Sequence, residues 1–215
     1  MKKRTPEQLK GQIRCFAGKR NLQSQEVLQM FLLERVMDMD TTVTGINMKE
    51  TEIEKIICEI LLIDVGDGIE FTFEKLEPIR EDDDYNNFRA YFVAHYGKIA
   101  NKMKIDITTG DEITPGAIRY SYKTILDDDE IGVMAYNTET IIAEKYETII
   151  RRNIGTSRAR DFYDLHVFYN LYRDAINLEI LKLAVTRTAK KRESLDTMYE
   201  WEEIIEDMKV DTALK

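Results

Sequence analysis

The apolar residues of the first 36 positions recur at helical spacing. Over residues 23–37 they follow a period close to 3.6 and occur at Val27, Leu28, Met30, Phe31, Leu32 and Val36. The run Thr5-Pro6-Glu7 is typical of a helix start, because Thr is a good cap and Pro is favoured in the first turn. Residues 5–36 are therefore predicted to be helical.

Residues 37–136 are predicted to combine short strands with a helix. The run 49–62 places Ile and Leu at helical spacing, whereas 69–74 alternates with period two, which indicates a strand. Further strands are predicted at 88–96, 102–108, 119–125 and 132–136, and a short one ends at Val43-Thr44-Gly45. Most connections between them are too short for helical crossovers, so the strands should form a mixed or antiparallel sheet.

Residues 138–208 are predicted to form helices. Thr138 is the expected cap of the first helix, which should run to about Asn153, and a turn at 155–157 precedes a second helix that begins near Arg158. Two more are expected at about 177–191 and 195–208. The prediction is thus an α/β (α+β) chain, with a strand-containing region over residues 1–136 and a helical region over residues 137–215.

The composition is that of a globular protein. The chain has 215 residues, 43% of them hydrophobic, and no apolar run approaches the roughly 20 residues that span a bilayer. The basic N-terminus is followed by no apolar stretch, so a secretory signal is not expected. Cys15 and Cys58 fit no metal or redox spacing, which favours reduced thiols in a cytoplasmic protein. A net charge of −9 argues against a general nucleic-acid binder, although four arginines between positions 151 and 160 can form a local basic face.

Three carboxylates in the strand-containing region are candidates for holding a metal ion. Asp38 and Asp40 lie at the predicted end of a strand, where residues i and i+2 face the same side. Lys104 and Asp106 share the polar face of the strand 102–108. Hard cations such as Mg²⁺ prefer oxygen ligands and keep substrate phosphate in their shell, and a nearby Lys can neutralise phosphate. The alternatives are a solvated turn for Asp38 and Asp40 and a cross-strand ion pair for Asp106.

The predicted helices carry a second set of charged candidates. Lys145 lies a turn or more into the first of them, where the alternative interpretation is an amphipathic helix with surface charges. Asp161 and Asp164 are one helical turn apart and face the same way, and Asp161 lies in the first turn, where the helix dipole favours a carboxylate. Arg158 and Arg160 at that helix start can bind phosphate. The alternative for this set is helix capping combined with salt bridges.

The order of these four pieces closely resembles the AbiEii/AbiGii family. The pieces are Asp-x-Asp at 38–40, Lys-x-Asp at 104–106, Thr-x5-Glu-Lys at 138–145 and Arg-x-[Lys/Arg]-Asp-x-x-Asp at 158–164. Members of that family are nucleotidyltransferase-like toxins of bacterial type IV toxin–antitoxin and abortive-infection systems, which implies a part in phage resistance. The resemblance runs from about residue 25 to residue 170. It implies a nucleotidyltransferase core like that of DNA polymerase beta, with a mixed sheet, followed by a C-terminal helical bundle.

The resemblance also implies roles for the residues of the strand-containing region. Asp38, Asp40 and Asp106 would be the ligands of Mg²⁺. Lys104 and Asp106 would complete the metal and triphosphate site, and Asp106 would count among the catalytic residues. The NTP would be the substrate, bound through its phosphates.

In the helical region the implied roles concern catalysis and the nucleotide phosphates. Lys145 would contact the nucleotide phosphate and take part in catalysis. Asp161 would be a catalytic residue positioned by Arg158, and Asp164 would support the motif. Arg160 stands where the family usually has Lys, which keeps the charge but changes the donor geometry for binding phosphate.

One motif of the family has no counterpart in this chain. The family's first motif is a Gly-Gly or Gly-Ser pair about a dozen residues before Asp-x-Asp, and its backbone N–H groups cradle the triphosphate. This chain has no Gly between Gly18 and Gly45, and a predicted helix runs directly into Met37 and Asp38. Either the protein naturally lacks this segment, or the sequence omits one between Val36 and Met37.

Two main functions follow. The first is a Mg²⁺-dependent nucleotidyltransferase toxin of the bacterial cytoplasm that moves a nucleotide monophosphate from an NTP to an RNA, such as tRNA, or to a protein. The second is a degraded relative that only binds a nucleotide, an RNA or a partner protein, because positioning of the triphosphate is most of this kind of catalysis. A third hypothesis is a protein whose helical half docks a cognate antitoxin.

Overall fold

The computed structural model describes residues 4–36, 40–43, 49–79, 87–127, 129–153 and 159–210. For residues 35, 36, 40–43 and 109 it describes the backbone alone. The chain forms two compact units, of which the first comprises Met1–Asp111 and Ser121–Val133 and the second comprises Glu112–Tyr120 and Met134–Lys215. The fold belongs to the predicted α+β class, with a mixed sheet in the first unit and a group of helices in the second.

The first unit contains helices that the sequence pattern predicts. They are α1 (Pro6–Arg20), α2 (Ser24–Val36) and α3 (Glu50–Leu61). Thr5 caps α1 as predicted: its hydroxyl accepts a hydrogen bond from the backbone N–H of Gln8, and the Gln8 side chain accepts one from the N–H of Thr5. This capping box satisfies backbone donors that the start of a helix leaves unpaired.

A four-stranded mixed sheet completes the first unit. Its strands are β1 (Asp40–Val43), β2 (Glu70–Pro78), β3 (Phe88–Tyr96) and β4 (Ile99–Thr109), in the spatial order β1-β4-β3-β2. Strands β2, β3 and β4 pair antiparallel, whereas β1 pairs with β4 in parallel. The prediction of a mixed sheet over this region is therefore confirmed.

One face of the sheet packs into the core of the first unit. Core residues come from all three helices and from alternate positions of β3 and β4, and include Leu9, Val27, Phe31, Leu32, Ile53, Ile57, Ala90 and Phe92. Met103, Ile105 and Ile107 are buried on one face of β4, and Lys104 and Asp106 share the opposite, polar face as predicted. This alternation keeps the charged side chains of β4 at the surface.

A two-residue turn joins β3 to β4. Tyr96 and Ile99 form the last residue pair of the hairpin, and Gly97 in the turn has φ of +58°, a conformation that favours glycine. A Cβ atom at Gly97 would lie 2.6 Å from Cγ of Pro6, so the close approach of α1 also requires glycine there. The turn sets the register of the hairpin, in which each residue of β3 faces a fixed residue of β4.

The last two strands form a sheet of their own. β5 (Ile118–Lys123) and β6 (Glu130–Ala135) pair in a separate two-stranded sheet, so the prediction that they complete the main sheet is wrong. Their apolar side chains do not form a buried face: Ile118 is 43%, Tyr120 52% and Met134 66% exposed. Alternation identifies a strand in a sequence, but it does not identify the strand with which it pairs.

The second unit is built around α4. Its helices are α4 (Thr138–Arg152), α5 (Ala159–Tyr172), α6 (Leu178–Lys191), α7 (Leu195–Tyr199) and α8 (Trp201–Val210). The single helix predicted over 195–208 is wrong in one respect, because it is divided at Glu200. Both parts bury apolar residues in the same core, so the apolar pattern continues across the break and does not reveal it. Among the described helices, none combines the length and the apolar character needed to cross a membrane.

The start of α4 corrects a predicted cap. Thr138 is the first helical residue, and the extended residue before it, Asn137, is the N-cap. The side chain of Asn137 accepts a hydrogen bond from the hydroxyl of Thr140 at 2.6 Å and donates one to Glu139 at 2.9 Å. Asn and Thr are both good caps by type, but the side chain of Asn137 makes these hydrogen bonds with other side chains and accepts none from the backbone N–H groups of α4.

A buried carboxylate fastens α4 to the chain that follows α6. Glu147 is fully buried, and its oxygens accept hydrogen bonds from Arg151, Arg192 and Ser194, each at 2.8 Å. A buried charge is tolerated when it is paired and hydrogen-bonded, and these three donors meet that condition. The Glu147 cluster, made of these four residues, therefore holds the helix that carries Lys145.

Candidate functional site

Asp106 lies on β4 with a charged residue at the same level on each neighbouring strand. Asp40 of β1 is its register partner in the parallel pair, and Arg89 of β3 is its partner in the antiparallel pair. Because adjacent strands lie about 4.8 Å apart, the backbones of these three residues are close neighbours. The structure thus brings together two of the predicted metal ligands at the level of the backbone, whereas Asp38 lies outside the described residues.

Arg89 binds both carboxylate oxygens of Asp106. Its Nε donates to Oδ1 and its Nη2 donates to Oδ2, each at 2.6 Å. The side chain of Arg89 is 31% exposed and that of Asp106 is 26% exposed, so the pair is accessible but partly shielded. The hydrogen bond to Asp106 raises the pKa of Arg89 above its ordinary value. The described part of the site therefore shows the cross-strand ion pair that was the alternative interpretation of Asp106.

Sequence reasoning did not include Arg89 in the site. The sequence does indicate the face on which Arg89 lies. Phe88, Ala90 and Phe92 occupy the apolar face of the strand, which leaves Arg89 on the polar face. The missing information was the pairing of Arg89 with Asp106, which lie 17 positions apart in the sequence. Alternation assigns each residue to a face, but the register between two strands depends on the turn that joins them.

The carboxylate of Asp106 suits a hard divalent cation. Mg²⁺ prefers oxygen ligands, and an ionised carboxylate has about four lone-pair positions, so the two hydrogen bonds from Arg89 do not exhaust it. Among the described side chains, no group of three or more His, Cys, Asp or Glu residues is placed to hold a metal ion. The side chains of Asp38 and Asp40 are not among them, and the metal site of Asp38, Asp40 and Asp106 stays a prediction.

Lys104 lies two residues before Asp106 on the same face of β4 and is exposed. Its register partner on β3 is Tyr91, and it forms no ion pair with a side chain that the structure describes. An exposed ammonium of this kind can donate to a phosphate oxygen without first leaving a carboxylate. Its contact with a triphosphate stays a prediction.

A second charged group, the Lys145 cluster, joins α4 to α5 in the second unit. Nζ of Lys145 donates to Oδ1 of Asp161 at 3.2 Å and to Oδ2 of Asp164 at 2.7 Å. Asp161 lies in the first turn of α5 and points with Asp164 toward the same partner, as their spacing predicts. The side chain of Asp161 is 10% exposed, whereas that of Asp164 is 39% exposed.

The Lys145 side chain remains an ammonium group at neutral pH. Burial lowers its pKa, but the hydrogen bonds to Asp164 and Asp161 outweigh burial, and the pKa lies above the ordinary value of 10.5. An ammonium has three donors, of which the two aspartates take two, so one remains for a phosphate oxygen. The cluster nevertheless holds two carboxylates beside one ammonium, and a lysine in this state cannot accept a proton.

The arginines predicted to bind phosphate differ in what the structure describes. Arg158 lies outside the described residues, and Arg160 is exposed in the first turn of α5. Arg151, which the sequence places in the same basic face, donates to the buried Glu147 at 2.8 Å. Its guanidinium therefore has a structural partner, and the predicted basic face is smaller by at least this residue.

Comparisons with known proteins find similarity over most of the chain. The family model described as "Nucleotidyl transferase AbiEii toxin, Type IV TA system" matches residues 37–212, a range that includes all the predicted site residues. A search of curated proteins found no match. Among solved structures, JHP933 from Helicobacter pylori is 17% identical over 83% of this chain and 67% of its own, with a TM-score of 0.43. A second H. pylori protein, described as a presumed nucleotidyltransferase, is 16% identical over 82% of this chain and 68% of its own, with a TM-score of 0.42.

Proposed function

Because the chain belongs to the AbiEii family of nucleotidyl transferase toxins of type IV toxin–antitoxin systems, we propose that it is a Mg²⁺-dependent nucleotidyltransferase. It transfers a nucleotide monophosphate from an NTP to an acceptor hydroxyl, which belongs to an RNA such as tRNA or to a protein. The observation that carries the proposal is the register of β4, which sets Asp40 beside Asp106 within the stretch that the family model matches.

In this proposal residues 1–136 bind the metal and the triphosphate. Asp38, Asp40 and Asp106 hold the divalent ion, which when bound neutralises phosphate charge and orients the reacting oxygens. Lys104 donates to a phosphate oxygen from the same face of β4. Support comes from the pairing of β1 with β4, since two carboxylate residues at one level of adjacent strands can share a ligand.

Residues 137–215 supply the remaining phosphate contacts and a catalytic carboxylate. The third N–H of Lys145 donates a hydrogen bond to a nucleotide phosphate, and Arg158 and Arg160 bind phosphate at the start of α5. Asp161 is the catalytic residue of this part. Its hydrogen bond to Lys145 and its low exposure support the assignment, because a catalytic group must be held in a fixed orientation. Asp164 holds Lys145 from the other side.

A second candidate function is nucleotide binding without turnover. α2 continues to Val36, and the chain has no Gly between Gly18 and Gly45, so this stretch lacks the glycine pair whose amides would cradle a triphosphate. The family match begins at residue 37, after α2. In this alternative the protein keeps its phosphate-binding cations and binds a nucleotide, an RNA or a partner protein.

Labelled NTPs, Mg²⁺ and a mixture of total RNA and protein test the transferase directly. The wild-type protein should label an acceptor, and Asp106→Asn should lower the rate about 100-fold, the usual scale for loss of one charge-stabilising group. Asp40→Ala should behave in the same way. The control is Glu70→Gln, which changes an exposed carboxylate of the same sheet, opposite His95, and should label normally. Equal labelling by wild type and Asp106→Asn would overturn the assigned site.

Calorimetry separates the two candidate functions. NTP binding in the presence of Mg²⁺ without any labelled acceptor favours the binding protein, whereas binding with labelling favours the transferase. We further propose that the protein acts in the bacterial cytoplasm with a cognate antitoxin. Expression in a bacterium should arrest growth, co-expression of the neighbouring gene should relieve the arrest, and Asp106→Asn should be harmless.

A further inference from the structure

The ion pair of Arg89 and Asp106 has more hydrogen bonds and less exposed side chains than another ion pair of the same sheet. On β2, Lys75 makes a single hydrogen bond to Glu77 at 2.6 Å, and the two side chains are 54% and 46% exposed. Arg89 makes two hydrogen bonds to Asp106, and both side chains are less exposed. A guanidinium that donates to both oxygens fixes the plane of a carboxylate as well as its position.

The pair of Arg89 and Asp106 lies where the proposed metal ion would bind. Asp106 is a proposed ligand of the divalent ion, and both of its oxygens already accept a hydrogen bond from Arg89. A cation that binds either oxygen must therefore approach a guanidinium that is bound to the same oxygen. Two cations on one carboxylate repel each other, and this repulsion is strong where the side chains are partly shielded from water.

We propose that Arg89 is a resident cation on Asp106 and that it competes with the divalent metal for this carboxylate. The inference rests on the proposed function, because it takes Asp106 as a metal ligand. Arg89 is in this sense a positioning residue. It holds the carboxylate in one orientation before the metal arrives, and it weakens the binding of the metal once it is there.

The competition predicts that removal of the charge strengthens metal binding. In Arg89→Gln the carboxylate of Asp106 loses its counter-cation, and the affinity for Mn²⁺ should rise roughly tenfold, the scale on which a nearby unit charge shifts proton binding to a carboxylate. Arg89→Lys keeps the charge but loses the two-point contact, so its affinity should rise by a smaller factor, about two- to fivefold. The measurement is Mn²⁺ titration of the full chain, followed by calorimetry and by the loss of the free Mn²⁺ paramagnetic signal.

Matched variants identify the carboxylate that binds the metal. Lys55→Gln removes a cation from an exposed ion pair on α3 and should leave Mn²⁺ affinity unchanged. The double variant Arg89→Gln with Asp106→Asn should lose the gain. Thermal unfolding checks that each variant is folded, and Arg89→Lys carries the test alone if Arg89→Gln does not fold.

The outcomes distinguish failure of this inference from failure of the proposed function. A gain that depends on Asp106 supports the competition, even in a protein that labels no acceptor. Equal Mn²⁺ affinity of wild type and the Arg89 variants, or no binding in any of them, overturns the competition, while acceptor labelling by the wild type would leave the transferase standing. A gain that survives Asp106→Asn overturns both the competition and the assignment of Asp106 as a ligand.

Discussion

Two charged clusters of this protein, one in each unit, are built in opposite ways. In the first unit, one arginine makes two hydrogen bonds to one carboxylate, and the backbone register of β3 and β4 sets them side by side. In the second unit, one lysine is shared by two carboxylates from a neighbouring helix. The pair of Arg89 and Asp106 is neutral and has both carboxylate oxygens engaged, whereas the Lys145 cluster has a formal charge of about −1.

This difference teaches how each cluster can respond to a ligand. Asp106 must share its oxygens or exchange a partner when a cation binds, because Arg89 already donates to both of them. Lys145 has a donor left after its two hydrogen bonds, so it can add a phosphate oxygen without losing a contact. A cation that binds Asp106 must therefore compete with Arg89, whereas a phosphate that binds Lys145 must also approach the carboxylates of Asp161 and Asp164.

The largest expected effect is a loss of stability in the second unit on removal of Glu147. Glu147→Ala leaves Arg151 and Arg192 without a carboxylate that is fully buried in the wild type, and it should lower the unfolding free energy of the second unit by about 3 kcal/mol or more. The Trp201 fluorescence reports the transition in urea, since Trp201 is the single tryptophan and lies in α8.

The control for that change is another carboxylate of the same unit. Glu206→Ala breaks an exposed pair with Lys209, in which the side chains are 70% and 61% exposed, and should cost less than about 1 kcal/mol. Similar shifts of the Trp201 transition for Glu147→Ala and Glu206→Ala would contradict the anchoring role of Glu147.

A smaller effect ranks the two partners of Lys145. Asp161→Asn changes a nearly buried carboxylate and should lower the unfolding free energy of the second unit by about 1.5–3 kcal/mol, the scale of a hydrogen bond to a charged group. Asp164→Asn changes a side chain that is 39% exposed and should cost less than about 1 kcal/mol. Urea titrations of both variants provide the measurement, and a larger cost for Asp164→Asn would reverse the assigned order.

The smallest effect is a dependence of stability on pH near 10.5, which we expect from the Lys145 cluster and not from the pair of Arg89 and Asp106. The folded-state pKa of Lys145 lies above the unfolded value near 10.5, so the cluster contributes fully below that pH and its contribution disappears as the pH rises through the folded pKa. The difference in unfolding free energy between wild type and Lys145→Met should therefore shrink above pH 10.5. A difference that stays constant to higher pH would show that the ammonium form is not what stabilises the contact.

The sequence predicts much of the fold because periodicity depends on neighbouring residues alone. The strand predicted over 88–96 has the bounds of β3, and the predicted polar face of β4 carries Lys104 and Asp106. Pairing is different, since it depends on distant parts of the chain. For this reason the partner of β5 is not predicted. The break at Glu200 is missed because the apolar pattern continues across it, and Asn137 is missed because the neighbouring Thr138 is also a good cap residue by type.

The candidate site shows the same division between local and distant information. The common orientation of Asp161 and Asp164 follows from helical spacing, and the structure confirms it. Their contact with Lys145 requires the packing of α4 against α5, and the contact of Arg89 with Asp106 requires a strand register. The chemistry of each residue was thus accessible from the sequence, whereas its partner was not. The metal ligands Asp38 and Asp40 remain predictions.

The hairpin turn at Gly97 fixes which residues face each other at Asp106, although the turn does not contact that residue. Pairing is counted outward from this turn, and the count places Arg89 opposite Asp106. One residue more or less in the turn would set Asp106 opposite Phe88 or Ala90, which belong to the apolar face. The turn lies roughly 25 Å from Asp106, at about 3.4 Å per residue. A change in the length of the turn would therefore separate Arg89 from Asp106, although neither residue is substituted.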